Sequence, residues 1–213
     1  NLRLRFLNWG TPGKTPLVCL HGFSEQAHVF DEFAGVMASH YHVLVLELRG
    51  HGESQWAIDG YGQDNYLSDL SEFLDSIGLK KIHLVGQSLG GMVAMRYASE
   101  HPDRVESVIL VDIGPEAGAN TPQQRGSRPP RPPRFKTLDD AFTWANSGIW
   151  HWAAPERLRK DLVDKLRQEE NGNWVWKADP ALFATGQRIS PNEELVARNW
   201  KSFGAITCPI LEV

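Results

Sequence analysis

Two patterns of hydrophobic residues, one typical of buried strands and one of helices, alternate along the first half of the chain. Short, continuous apolar runs have the length and composition of strands that are buried on both faces of a sheet. These runs lie at 17–20, 41–48, 82–85 and 105–111. Between them, apolar residues recur at three- and four-residue spacing, which indicates helices. The helical segments are 27–38, 66–77 and 92–98. The alternation predicts an α/β fold: a mainly parallel sheet with helices on both faces.

A different pattern opens the chain. Apolar residues alternate with arginines over 2–6, as in an edge strand with one face in solvent. Turn-forming residues follow from Asn8 to Gly13. We therefore expect the first strand to end before residue 8.

The run at 82–85 leads into Gly86-Gln87-Ser88-Leu89-Gly90, and the following helical pattern stops before Pro102. A G-x-S-x-G sequence between a strand and a helix is typical of a nucleophile elbow, where a serine lies at a strained corner. We predict that Ser88 is a catalytic nucleophile. Gly86 and Gly90 are needed because a Cβ atom would collide where strand and helix cross. The Leu89 N–H would bind an oxyanion. Gly-rich turns before helices also bind phosphates, so the motif alone leaves that alternative open.

His21-Gly22-Phe23 follows the apolar run at 17–20 directly. In serine hydrolases with this order of elements, the loop after that strand supplies a second N–H to the oxyanion hole. By position this donor is the N–H of Phe23, and Gly22 allows the backbone to approach a substrate oxygen closely. The alternative is a simple turn with a phenylalanine in the core.

The motifs HGF, RGHGES, GQSLGG and VILVDIGP occur in this order, and CPILEV comes later. Together they resemble the α/β-hydrolase fold superfamily, and most closely its small esterase-like and carbon–carbon-bond-hydrolase-like members. The resemblance covers residues 1 to about 115 and returns at 208–213. Two positions depart from the common pattern: Glu47 stands where Asp is usual, and Gln87 where His is frequent. Serine at position 88, rather than the aspartate of dehalogenases and epoxide hydrolases, implies esters, thioesters, lactones or activated C–C bonds.

The regular alternation stops after residue 114, which predicts three segments. Residues 1–114 would form the N-terminal part of the core, 115–201 an inserted α-helical lid, and 202–213 the start of the next core strand. The lid begins with a proline-rich basic stretch, 120–134, in which arginines recur every three residues. These are Arg125, Arg128, Arg131 and Arg134. They could bind an anionic substrate tail or an acidic partner, but a mobile, solvated entry to the lid is the favoured interpretation.

Six of the eight tryptophans lie in the same insertion. They are Trp144, Trp150, Trp152, Trp174, Trp176 and Trp200. A small lid has little core, so some of these rings must pack together, and others could line an apolar pocket above Ser88. His151 is interpreted as a packed residue rather than a base.

Composition narrows the function classes. The net charge is 22 − 26 = −4, which gives no electrostatic case for nucleic acid or an anionic membrane surface. No run is long and apolar enough for a membrane span, and no metal or cofactor motif occurs. Cys19 and Cys208 lie in apolar runs and are expected to be buried thiols, which favours a reducing, cytoplasmic location.

A serine hydroxyl needs a histidine to accept its proton, and in this fold the acid and histidine follow the serine in the chain. All eight histidines lie between positions 21 and 151, before the expected position. His51 is interpreted as ordering its loop, and Asp112 is a weak candidate for the acid. We therefore expect the acid, the histidine and a further strand and helix to lie beyond Val213 or on another polypeptide.

The sequence thus predicts a serine hydrolase that cleaves a small, hydrophobic carboxylic ester or related acyl compound without a metal or organic cofactor. An acyl-enzyme would form on Ser88. The alternatives are a hydrolase-fold receptor or inactive relative that binds a small ligand, and a C–C-bond hydrolase or perhydrolase. The sequence does not predict the oligomeric state.

Overall fold

The computed structural model describes residues 2–116, 131–148, 153–183 and 193–213. Its strands are β1 (Phe6–Trp9), β2 (Pro16–Leu20), β3 (His42–Leu46), β4 (Ile82–Gln87), β5 (Val105–Val111), β6 (Arg134–Phe135), β7 (Leu166–Gln168), β8 (Trp174–Trp176) and β9 (Ile210–Glu212). Its α-helices are α1 (Asp31–Met37), α2 (Gln63–Ser76), α3 (Leu89–Glu100), α4 (Leu138–Ser147), α5 (Pro155–Lys165) and α6 (Glu193–Ala205). Short 3₁₀ helices cover Ala27–Phe30, Pro102–Arg104 and Pro180–Phe183.

Six strands form the main sheet in the order β1-β3-β2-β4-β5-β9. All neighbouring pairs are parallel except β1 with β3. Cys19 lies opposite Val85, and Val85 lies opposite Ile109, so β4 is held between β2 and β5. The predicted α/β architecture is confirmed, and the carboxyl end of β4 is placed near the middle of the sheet.

The continuous apolar runs are buried on both faces, as predicted. Alternate residues of the strands, such as Leu20 and Leu84, join a cluster with α2 and α3 on one face. The intervening residues, such as Cys19 and Val85, pack with Ala34 of α1 on the other face. Neither cysteine is in a disulfide, and burial raises the pKa of the Cys19 thiol.

The position predicted for the first strand is wrong by several residues. The strand runs over Phe6–Trp9 and includes residues assigned to a turn. Upstream, the carbonyl groups of Arg3 and Arg5 accept hydrogen bonds from Gln55 and Glu47. Because these partners lie at or beyond the end of β3, residues 2–5 run beside irregular chain rather than beside a strand.

Residues 131–148 and 153–183 form a unit with its own apolar cluster, which we call the cap. Its helices α4 and α5 lie in the predicted insertion, but it also contains a three-stranded antiparallel sheet in the order β6-β8-β7. The expectation of a purely helical lid therefore needs correction. Phe135, Trp144 and Trp176 pack edge-on or tilted at centroid distances of 5.7–5.8 Å, as expected for tryptophans in a small core. Arg125, Arg128, Trp150, His151 and Trp152 lie outside the described residues.

Helix α6 packs on α3, and Phe203 and Ile206 contact the main cluster of the core. The predicted boundary at residue 201 falls inside this helix. Residues 193–201, which were assigned to the lid, are therefore part of a helix that packs against the core.

Candidate active site

Ser88 lies between the end of β4 and the first residue of α3, with φ 48° and ψ −109°. This backbone conformation is rare for a residue with a side chain and is stable only when neighbouring groups impose it. The Ser88 N–H donates to the carbonyl of Val111 at 3.0 Å, and the Ser88 carbonyl accepts from Met92 at 3.0 Å. The predicted strand, tight turn and helix are all present, and Ser88 is partly exposed.

The two glycines beside Ser88 lie where chains cross closely. A Cβ atom on Gly86 would collide with the carbonyl oxygen of Gly90 and would lie 2.6 Å from the Cα of Gly91. A Cβ atom on Gly90 would lie 2.6 Å from the carbonyl carbon of Leu20, on the neighbouring strand. Real Cβ atoms essentially never approach backbone this closely, so neither position has room for a side chain.

The HGF loop lies directly beside Ser88. A Cβ atom built on Gly22 would be 3.4 Å from the Ser88 Cβ, and the Gly90 N–H donates to the His21 carbonyl at 3.2 Å. Within the described part of the chain, the N–H groups of Phe23 and Leu89 have no acceptor. Leu89 is the first residue of α3, where no intrahelical acceptor exists. Two amides without an acceptor in that part of the chain therefore lie on the two segments that meet at Ser88.

His21 and His51 are fully buried, and their tautomers follow from their partners. The Leu48 N–H donates to His21 Nε2 at 3.0 Å, so the proton is on Nδ1, which donates to the Gly22 carbonyl at 2.8 Å. His51 Nδ1 donates to the Arg49 carbonyl at 2.9 Å, as expected for a loop-ordering residue. Desolvation lowers the pKa of His21 to about 3 and that of His51 to about 4, so both rings are neutral at pH 7. None of the seven described histidines hydrogen-bonds Ser88.

Glu47, one of the two departures from the common pattern, organises the loop that follows β3. Its buried carboxylate accepts hydrogen bonds from the Glu53 N–H at 2.7 Å and from Arg5 Nη1 at 2.8 Å. Gly52 has φ 53°, and a Cβ atom there would collide with the same carboxylate. Glu47, which is larger than the usual aspartate, therefore fixes the turn at residues 50–54 and makes no hydrogen bond to Ser88. Asp112 lies at the end of β5 with φ 54°, and its N–H donates to the Val213 carbonyl at 2.9 Å.

The cap contacts the HGF loop through residues that sequence reasoning missed. The ring of Phe183 packs edge-on against Phe23 at 5.2 Å between centroids. Arg131 Nη1 donates to Ser24 Oγ at 3.1 Å, so this arginine is not the solvated residue that the proline-rich stretch predicted. Phe183 could not be assigned to this loop from the sequence, because it lies 160 positions from Phe23 in the chain.

The chain matches the family model for the alpha/beta hydrolase fold over residues 15–184. Because this match covers most of the sequence, the chain belongs to that family. The predicted resemblance is thereby confirmed.

Two relatives and one solved structure are similar over almost the whole chain. A 3-hydroxybutyrate-oligomer hydrolase from Cupriavidus necator is 28% identical over 99% of this chain and 75% of its own length. An esterase from Mycobacterium tuberculosis is 34% identical over 96% of this chain and 66% of its own length. The thioesterase domain from the curacin biosynthetic pathway superposes with a TM-score of 0.77 at 21% identity, covering 100% of this chain and 82% of that domain. At this identity the superposition shows the fold alone.

Among the described helices, none combines the length and the apolar character that crossing a membrane requires.

Proposed function

We propose that this protein is a serine hydrolase that cleaves a small carboxylic ester or related acyl compound. The observation that carries the proposal is Ser88 itself, which lies at φ 48° between β4 and α3, beside two backbone amides that have no acceptor among the described residues. The names of the two relatives, a hydrolase of 3-hydroxybutyrate oligomers and an esterase, support ester chemistry. Membership of the family supports hydrolase activity, but the kind of bond that is hydrolysed is still to be tested.

In the proposed reaction, Ser88 Oγ attacks the carbonyl carbon while a histidine other than the seven described ones accepts the hydroxyl proton. The carbonyl electron pair moves to oxygen, and the Phe23 and Leu89 N–H groups donate to that oxyanion. When the pair returns, the C–O bond to the alcohol breaks and the alcohol leaves with the proton. Water then attacks the acyl-serine by the same steps, which releases the acid and regenerates Ser88.

A receptor without catalytic activity is the second candidate. The observation that favours it is that no described side chain hydrogen-bonds Ser88 Oγ. In such a protein the cap and the HGF loop would hold a small ligand, and the serine would not react.

Labelling with a fluorophosphonate separates the two candidates. We expect the native protein, together with the histidine that the reaction requires, to be labelled in a one-to-one ratio, because an activated serine attacks phosphorus and displaces fluoride. Ser88→Ala should abolish labelling, and Ser68→Ala, at an exposed position on α2, should leave it unchanged. Intact-protein mass spectrometry measures the adduct.

The outcome that would contradict the hydrolase is a folded native protein that stays unlabelled and releases no acid from 4-nitrophenyl butanoate. Labelling that persists in Ser88→Ala would place the nucleophile elsewhere.

A further inference from the structure

Arg131 is a cap residue that lies against the HGF loop. Its guanidinium carbon is 3.7 Å from the ring centroid of Trp176 and 4.0 Å from that of Phe183. Its Nη1 atom donates to Ser24 Oγ at 3.1 Å. Ser24 has φ 65° and directly follows Phe23, whose N–H is a proposed oxyanion donor. The guanidinium is therefore fixed between two aromatic rings at the edge of the proposed active site.

The half-buried Arg131 forms no ion pair among the described residues, although the nearby Glu25 carboxylate favours its charged form. Glu25 is an acidic neighbour in sequence to Ser24, but its oxygens already accept from Lys165 at 2.7 and 2.8 Å. Arg131 Nε is buried and has no hydrogen-bond partner within the described ranges. Burial lowers the pKa of Arg131 to about 9, so the side chain remains charged at pH 7. A charged guanidinium with a free N–H in a desolvated position is a binding group for an anion.

A cavity adjoins Arg131 where the cap meets the core loops. It is a small recess of about 10 Å³, room for about one water molecule, and its lining includes Ser24, Glu25, Arg131, Lys165 and Lys177. Two of its three cations are paired, Lys165 with Glu25 and Lys177 with Glu53 at 3.0 Å. Among these lining residues, Arg131 is the cation without a direct ion pair, and its charge is only partly offset by Glu25. The planar fork of a guanidinium matches a carboxylate in geometry as well as in charge.

We infer that the substrate carries a carboxylate in addition to the ester bond, and that Arg131 binds this carboxylate. The inference rests on the proposed hydrolase function. Gly22, Phe23 and Ser24 are consecutive, with Gly22 against Ser88 and Ser24 against Arg131, so both contacts fall on one three-residue stretch of the loop. The inference requires a substrate that reaches from one contact to the other. Arg131 is thus a specificity-determining residue, and the preferred substrates are anionic half-esters or esters of hydroxy acids and similar compounds.

Binding to the Ser88→Ala variant tests the inference without turnover. Two matched ester pairs place the carboxylate on either side of the ester bond. Mono-4-nitrophenyl adipate is compared with 4-nitrophenyl hexanoate, and 4-carboxyphenyl butanoate with 4-carbamoylphenyl butanoate. Calorimetry should show that the anionic member of at least one pair binds more tightly by about tenfold or more, the range for a charge-assisted hydrogen bond.

Arg131→Gln should abolish this preference for the anionic ester. The matched control is Arg134→Gln, which removes the same charge from the exposed position of β6 and should keep the preference. Arg131→Lys retains the charge without the planar fork and should keep only part of the preference. If tryptophan fluorescence shows that Arg131→Gln does not fold, the Arg131→Lys variant tests the inference instead.

The inference is overturned if neither pair shows a preference that depends on Arg131. It is also overturned if acetate alone binds at Arg131 while the esters show no preference, because the site would then be independent of the substrate. Hydrolysis of the neutral esters with no role for Arg131 would leave the proposed function intact. Arg131-dependent binding without hydrolysis by the native protein would contradict the proposed function but support carboxylate binding by Arg131.

Discussion

Gly90 and Gly204 are both helix residues, but their surroundings differ. Gly90 lies in α3, where a methyl group would press into the backbone of Leu20. Gly204 lies in α6, and nothing lies within 4 Å of the position its Cβ would take. Comparing the two positions distinguishes the steric need for glycine at the candidate site from the loss of helix stability that glycine causes in general.

Alanine substitution at the two positions should have opposite effects. Gly90→Ala should lower the free energy of unfolding by about 1–3 kcal/mol, because the new methyl group must displace well-packed backbone. Gly204→Ala should raise it by about 0.5–1 kcal/mol, because alanine favours the helix. Urea denaturation followed by tryptophan fluorescence measures both. Equal stability of Gly90→Ala and the native protein would contradict the tight crossing.

Residues of the candidate site differed in how far they could be predicted. The tight turn at Ser88, with Gly86 and Gly90, could be predicted because its backbone requirements lie within one strand, turn and helix. Arg131 was misassigned because the prolines around it describe local backbone, whereas its partner Ser24 is 107 positions away. No local pattern records a contact of that kind.

At the scale of elements, the end of α5 is attached to the core by a buried ion pair. The Lys165 side chain is only 6% exposed, and its ammonium group bonds to both oxygens of Glu25. Arg157, earlier on the same helix, pairs with the exposed carboxylate of Glu32 at 2.7 Å. Both pairs join cap to core, but only the first is shielded from water.

We expect Lys165→Met to lower stability by about 3 kcal/mol, because it leaves a partly buried carboxylate without its partner. Arg157→Met should cost less than about 1 kcal/mol, since water screens the exposed pair. Chemical denaturation measures both variants. Adding Glu25→Gln to Lys165→Met should recover part of the loss, and equal costs for the two single variants would contradict the role of burial.

The helices were predicted more completely than the short strands of the cap. Helix α4 has an apolar stripe, and its N-cap residue Thr137 forms a capping box with Asp140. Strands β7 and β8 have three residues each, too few to show a period of two, and their pairing joins segments with no common local signal. Their tryptophans could be predicted to pack together, but the sheet that holds them could not.

At the scale of the whole molecule, the described residues form three apolar clusters. Two lie on opposite faces of the main sheet and share its strands, whereas the third lies in the cap around Leu158, Leu162 and Trp176. Since the cap cluster shares no strand with the main sheet, the cap can lose its packing while the sheet stays folded.

Native-state hydrogen exchange tests this separation. Leu162→Ala should accelerate exchange over 131–148 and 153–183, with a local loss of about 2–5 kcal/mol, because a buried leucine is replaced by a void. Exchange in β4 and α3 should stay close to that of the native protein. Leu84→Ala, in the main cluster, should accelerate exchange everywhere. Matching acceleration of β4 and the cap in Leu162→Ala would mean that the clusters unfold as one.

The placement of β4 between β2 and β5 has a consequence for the newly made chain. The amide of Phe23 follows one strand and that of Leu89 follows another, and 61 residues separate β2 from β4 along the sequence. Until those strands align, the serine hydroxyl has no partners to stabilise charge on a substrate. A nascent or partly unfolded molecule therefore carries Ser88 and both donor amides but remains inert until the middle of the sheet has assembled.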